Sequence, residues 1–142
     1  MGTLVFSHMA LNCKDMAATE RFYTRYFGFK RAREVPLGDT KIVFLKCGTM
    51  YLELFDAEGT APSPAPEADG YHFPGWRHFA FQVDDVDAKL AELGDAAKIM
   101  LGPLDFSDFI PGWYTVWVAD PEGNIVEISQ GFTDQDSPPP LE

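Results

Sequence analysis

Apolar and polar residues alternate along residues 3–13 with the period of a strand: Leu4, Phe6, His8, Ala10 and Asn12 fall on one side, Met9 and Leu11 on the other. Asp15 then stands where a helix N-cap belongs. Phe22, Tyr23, Tyr26 and Phe27 form the apolar stripe of a helix that runs to Phe27 and stops at Gly28. Three shorter strands are predicted over 29–35, 41–47 and 50–55, with Leu37-Gly38-Asp39 and Gly48-Thr49 as turns. From 56 to 75 the composition shifts to Ala, Pro, Gly and acid, the mark of a linker or loop. A new strand begins at Trp76. A helix follows from Asp85, with Val86, Leu90 and Leu93 on one side and Gly94 at its end, and further strands are predicted over 98–102, 113–119 and 124–130. The chain thus divides into a first βαβββ module over 1–55, a loop over 56–75, a second βαβββ module over 76–131 and a disordered tail over 132–142, one domain overall.

The two halves share residues as well as element order. Setting His8 on His78, an offset of 70, also sets Ala10 on Ala80, Asp15 on Asp85 and Ala18 on Ala88. The last strands match at an offset of 74, Tyr51-Leu-Glu53-Leu against Ile125-Val-Glu127-Ile. An internal duplication explains both.

Strand alternation sorts the side chains into two faces. Glu53 goes with Tyr51 and Phe55, His78 with Trp76, Ala80 and Gln82, and Glu127 with Ile125 and Ser129. The opposite faces, with Leu52, Leu54, Phe79, Phe81, Val83, Val126 and Ile128, are apolar and should lie under the helices. The remaining faces are expected to line a polar and aromatic cavity. His8, Glu53, His78 and Glu127 stand there at duplicated places, and two imidazoles with two carboxylates suit a divalent metal with positions left for water or substrate. Glutamate is costly to bury unless it is paired or metal-bound. Asn12, Tyr51, Trp76, Gln82, Trp113 and Trp117 are the candidate substrate pocket, though Trp113, Tyr114 and Trp117 also fit plain strand packing. His72 lies in the loop and is read as solvated.

Composition and charge narrow the partners. The chain has 142 residues, 46% hydrophobic and 14% aromatic, which excludes collagen, coiled coil and a disordered chain. A formal net charge of −11 opposes nucleic acid and anionic membrane. The charge is uneven, +4 over residues 1–46 and −15 over 47–142. That gradient either steers an anionic ligand to one edge or reflects a solvated basic face of the first helix, with Arg21, Arg25, Lys30 and Arg31. No apolar run approaches the ~20 residues that span a bilayer, and no leader opens the sequence, so a cytoplasmic protein is expected. Cys13 and Cys47 lack zinc-site spacing and are read as small buried hydrophobes.

Four segments, Phe6-Ser-His8-Met-Ala-Leu, Phe22-Tyr23-Thr-Arg-Tyr26-Phe-Gly28-Phe, Trp76-Arg-His78-Phe-Ala-Phe and Asp120-Pro-Glu-Gly-Asn-Ile-Val-Glu127, give the chain a resemblance to the vicinal oxygen chelate superfamily. That superfamily contains glyoxalase I, methylmalonyl-coenzyme A epimerase, extradiol dioxygenases, and fosfomycin and bleomycin resistance proteins. The resemblance runs from about residue 4 to 131 and implies an α+β fold, two tandem βαβββ modules forming an open barrel-like cup around one metal, usually in a homodimer. The matching ligand positions are His8, Glu53, His78 and Glu127, a set most similar to that of glyoxalase I. The epimerases usually have Gln at the Glu53 position. Two departures argue against glutathione: Asn12 stands where glutathione-dependent glyoxalases usually carry Arg, and Leu54-Phe-Asp-Ala replaces their Thr-Tyr-Asn-like segment.

The expected activity is that of a metal-dependent isomerase or lyase acting on a small carbonyl substrate with vicinal oxygens. Zinc, nickel, cobalt or manganese would stabilise an enediolate, with Glu127 or Glu53 as base. Two alternatives stand beside it: an Fe(II) dioxygenase using His8, His78 and Glu127, and a non-catalytic antibiotic-binding or resistance protein with stacking surfaces at Trp76, Trp113, Trp117 and Tyr51.

Overall fold

In the computed structural model, which describes residues 2–141, the first module is built from β1 (His8–Cys13), α1 (Met16–Tyr26), β2 (Lys30–Leu37), β3 (Thr40–Cys47) and β4 (Met50–Asp56). Local chemistry starts and stops the helix. The Asp15 carboxylate accepts from Ala18 N at 3.0 Å, a cap contributing about 1 kcal/mol, and Gly28 takes φ +72 just beyond the last turn. The strands run in the order β1-β4-β3-β2, with β1 parallel to β4 and the other pairs antiparallel. Val43, Leu45, Leu52 and Leu54 are fully buried on one face of the sheet, and Phe22 and Tyr23 of α1 are buried too. Each such side chain contributes roughly 1.5–3 kcal/mol. The opposite face of the sheet stays open.

Residues up to Ala65 form one compact unit that also takes in Asp120–Gly123. Within it Glu122 accepts from Lys14 N at 2.6 Å and Asp15 N at 3.1 Å, and the buried Tyr23 hydroxyl donates to Asp120 Oδ2 at 2.6 Å. Burial, reinforced by the Asp120 carboxylate, pushes the Tyr23 phenol well above its ordinary range.

The second unit, Pro66–Ala119 with the chain from Asn124 on, repeats the plan with β5 (Phe79–Gln82), α2 (Val86–Leu93), β6 (Lys98–Asp105), β7 (Tyr114–Ala119) and β8 (Ile125–Gln130). Asp85 caps Ala88 N at 3.0 Å as Asp15 caps Ala18, and Gly94 takes φ +53. The sheet order β5-β8-β7-β6 is the counterpart of the first. The fold is therefore two tandem βαβββ modules, each with an open four-stranded sheet.

Several boundaries differ from the expectation, and strand pairing explains them. The first strand begins at His8, not residue 3: His8 pairs with Tyr51, near the start of β4, and beyond the bond from Tyr51 N to the Ser7 carbonyl at 3.1 Å residues 3–6 have no ladder to join, so that Leu4 and Phe6 are 92% and 59% exposed. The strand expected from Trp76 begins at Phe79, because its partner Val126 lies one residue into β8 and nothing further back pairs with Trp76. Trp76 therefore shares no strand face with His78. Strand β6 runs beyond Gly102 to Asp105, its register shifting between Leu101 and Leu104 to carry the Gly-Pro step.

Other readings resolve residue by residue. Arg31 is exposed, as a solvated basic face requires, and is also ion-paired there: Glu20 of α1 holds its guanidinium at 2.7 and 2.5 Å, and Glu34 holds it at 2.7 Å. Cys13 is fully buried, which pushes its thiol up to about 11, while Cys47 is half-buried. His72 stacks on Tyr71 with ring centroids 4.0 Å apart and faces Glu67 at 3.4 Å. Residues 131–141 form neither strand nor helix, and Glu142, the end of the expected tail, lies outside the described residues. No helix among the described residues is long and apolar enough to cross a membrane.

Candidate metal centre

On the open face of the first sheet, parallel pairing sets β1 beside β4 so that His8 lies opposite Tyr51 and Ala10 opposite Glu53. His8 Nε2 is 3.6 Å from Glu53 Oε1, and its Nδ1 is 2.9 Å from Ser7 Oγ. Glu53 accepts no hydrogen bond among the described residues. A concavity of about 350 Å³ opens on this face, lined by Ser7, His8, Ala32, Arg33, Phe44 and Tyr51.

The second unit repeats the pair and holds it more firmly. His78 Nε2 is 2.9 Å from Glu127 Oε1, and His78 Nδ1 is 2.7 Å from the Asp69 carbonyl. A carbonyl only accepts, so Nδ1 carries a proton and Nε2 is the nitrogen presented to the carboxylate. Thr115, fully buried, donates to Glu127 Oε2 at 2.9 Å. Trp117 Nε1 approaches His78 Nε2 at 3.4 Å.

The electrostatics follow from these contacts. The hydrogen bond to Glu127 raises the His78 imidazole above 6.5, burial opposes it, and the Asp69 carbonyl adds to the rise. Burial lifts the Glu127 carboxyl, but the bonds from His78 and Thr115 outweigh it and leave the group below 4.5. The raised imidazole contributes stability that is full below 6.5 and fades as pH climbs through its folded value. The depressed carboxyl contributes stability that is full above 4.5 and fades as pH falls through its folded value. Without metal, the pair is therefore strongest between 4.5 and 6.5.

The donor chemistry fits a divalent ion. In each unit an imidazole Nδ1 is held by an oxygen while Nε2 faces a carboxylate, the arrangement in which an outer partner orients a metal-ligating histidine. An Nε2 lone pair facing a carboxylate oxygen calls for a positive species between them, a proton or a metal. The observed separations are 2.9 and 3.6 Å. Among the described residues no group of three or more His, Cys, Asp or Glu is placed to hold a metal ion, so what each unit shows is a two-donor pair.

The remaining pocket candidates divide. Trp117 is buried, lies opposite Glu127 on the neighbouring strand and meets the His78 ring edge-on at 6.0 Å. Tyr51 lines the first concavity, with Lys46 Nζ 5.3 Å above its ring. Trp113 instead packs on Phe106 and Phe132 and donates to Ser129 Oγ at 3.2 Å. Trp76 is 87% exposed. Asn12 and Gln82 are exposed on their strands. Thr115, Asp69 and Arg33 are the additions. Thr115 was accessible to the same alternation that singles out Trp113 and Trp117 on either side of it. The role of Asp69 is played by a backbone carbonyl, which leaves no mark on residue type.

Known proteins share this plan. A solved glyoxalase/dioxygenase from Nostoc punctiforme superposes with a TM-score of 0.71 at 25% identity, covering 94% of this chain and 99% of that one. Lactoylglutathione lyase from Agrobacterium tumefaciens superposes with a TM-score of 0.61 at 29% identity, over 92% of this chain and 96% of that one. Among curated sequences, the uncharacterized protein YaeR of Escherichia coli (strain K12) is 33% identical over 101 residues, 66% of this chain and 71% of that protein. A family model matches residues 5–128, a stretch that takes in both modules, and the chain belongs to the Glyoxalase/Bleomycin resistance protein/Dioxygenase superfamily.

Proposed function

We propose that the protein is a metal-dependent isomerase or lyase of the glyoxalase type, acting on a small carbonyl substrate with vicinal oxygens. His8, Glu53, His78 and Glu127 are its metal ligands. The carrying observation is the repetition of one unit's donor arrangement in the other: imidazole Nε2 against carboxylate, at 3.6 and 2.9 Å, with Nδ1 anchored each time. The kinship with a protein named lactoylglutathione lyase, 29% identical, supports the reaction class.

A bound divalent ion supplies Lewis acidity toward the substrate's two oxygens. The chain supplies the rest. Glu127, fixed by Thr115 and His78, is the rigid carboxylate. Glu53, which accepts no hydrogen bond among the described residues, is the one able to take the acidic C–H proton as general base. Trp117 walls His78 on one side and keeps bulk water from its ring.

The test is metal analysis by plasma mass spectrometry on protein purified without affinity metal or chelator. Wild type is expected to carry roughly one equivalent of zinc, nickel, cobalt or manganese, and His8→Ala about tenfold less. Persistent absence of metal after reconstitution would sink the reading. The looseness of Glu53 also suits a second reading, an Fe(II) dioxygenase with His8, His78 and Glu127 as ligands and Glu53 aside. Iron as the resident metal, with oxygen consumed in the presence of catechols, would select it.

A further inference from the structure

Strand β2 does not run regularly. Arg31 lies opposite Leu45 and Arg33 opposite Phe44, so two residues of β2 pass against one of β3 and Ala32 is the extra residue of a β-bulge. In an unbroken strand Arg31 and Arg33 would share a face. The bulge separates them. Arg31 turns toward α1, where Glu20 holds it at 2.5 Å, while Arg33 joins Phe44 and Glu53, which lie opposite one another on the open face. The same step brings Lys30 onto that face, in one row with Lys46, Tyr51 and His8.

The result is a local charge opposite in sign to the whole. A chain of net charge −11 gathers Lys30, Arg33 and Lys46 on one sheet face around His8 and Glu53. Lys46 is engaged with the Tyr51 ring, and Lys41, on the other face, with Glu34 at 3.4 Å. The Arg33 guanidinium has neither hydrogen bond nor ion pair among the described residues, and Arg33 lines the 350 Å³ concavity beside His8. Its planar fork of donors matches the oxygens of a carboxylate or phosphate. Exposed at the rim, the guanidinium is open to an arriving anion.

We propose that Arg33, aimed into the concavity by the Ala32 bulge, is a specificity-determining residue that binds an oxyanionic group of the substrate. The inference rests on the proposed function for the identity of the substrate's other end: a small vicinal-oxygen carbonyl compound that also carries a carboxylate or phosphate. Aromatic Phe44 and Tyr51 then flank the carbon skeleton between that group and His8.

Binding to metal-stripped protein tests this independently of turnover. Nitrogen-labelled protein is titrated with hydroxypyruvate, dihydroxyacetone phosphate and neutral dihydroxyacetone, and dissociation constants are read from amide and Arg33 Nε–H shifts. At least one anionic probe is expected to bind about tenfold or more tighter than the neutral one, and the tighter of the two names the group. Arg33→Gln should abolish the difference, Arg33→Lys should restore part of it, and Lys41→Gln should leave it intact. Equal binding of neutral and anionic probes, or equal loss in Arg33→Gln and Lys41→Gln, would overturn the proposal. Metal content separates it from the reading beneath it. An Arg33→Gln protein that holds metal normally while wild type shows no anion preference defeats this inference alone. Anion preference in a protein that never takes up metal defeats the proposed function alone.

Discussion

Glu53→Gln is expected to keep its metal and lose about a hundred- to ten-thousand-fold in proton exchange at the substrate's α-carbon, the usual worth of a general base. The amide has nearly the shape of the carboxylate and retains an oxygen to offer an ion, but it cannot take a proton. Glu127→Gln should behave differently, because Glu127 is fixed between Thr115 Oγ1 at 2.9 Å and His78 Nε2 at 2.9 Å. An amide there keeps the Thr115 bond through its oxygen and donates its nitrogen to the His78 Nε2 lone pair, occupying the electron pair that a metal would need, so metal loading should fall with activity. The measurement is deuterium incorporation into hydroxypyruvate or dihydroxyacetone by proton NMR, with metal content taken on the same samples. If Glu127→Gln were the variant that kept metal and lost exchange, the base would be Glu127.

Asp120→Ala is expected to lower stability by about 2–4 kcal/mol, among the larger effects a single change can have here. Asp120 is 4% exposed, and it accepts the hydroxyl of the wholly buried Tyr23 at 2.6 Å and the Glu122 amide at 2.9 Å. Removing the carboxylate takes the 2.6 Å acceptor from a buried phenol. At about 3 °C per kcal/mol for a chain of this size, the melting temperature should drop by roughly 10 °C. Tyr23→Phe, combined with Asp120→Ala in a double-mutant cycle, should return a coupling above about 1 kcal/mol. Additive losses would show that the bond contributes little.

The reach of the sequence is clearest in the paired features. Asp15 and Asp85 as caps, Gly28 and Gly94 as stops, and the order strand, helix, three strands in each half all follow from short-range rules, since caps and left-handed stops depend on the residue that carries them. The duplication singled out His8, Glu53, His78 and Glu127 before any contact was known, and the structure sets them in two imidazole–carboxylate pairs. What escaped depends on partners distant in the chain. Trp76 alternates correctly with His78 but has no strand opposite it, and Leu4 and Phe6 fail for the same reason. The anchor for His78 is the carbonyl of Asp69, in a segment whose composition reads as linker. That segment packs tightly: a Cβ on Gly70, at φ +84, would come within 2.1 Å of the Arg77 carbonyl, beside His78 itself. Arg33 could not be placed, because a bulge is a property of two strands and one strand's alternation does not reveal it.

The Ala32 bulge also gives β2 an unequal tolerance to genetic deletion. Loss of the codon for Ala32 removes the supernumerary residue, and Lys30, Arg31 and Arg33 then meet Lys46, Leu45 and Phe44 in an unbroken ladder with every side chain on its present face. Loss of the codon for Glu34 leaves a chain of the same length and an equally regular strand. In that strand, however, Ala32 takes the place opposite Phe44 and Arg33 is turned toward Val43 and the apolar side. The first deletion should preserve anion preference in the NMR titration and the second should erase it. Two gene products equal in size would then differ in ligand choice through which of two nearly adjacent codons was lost.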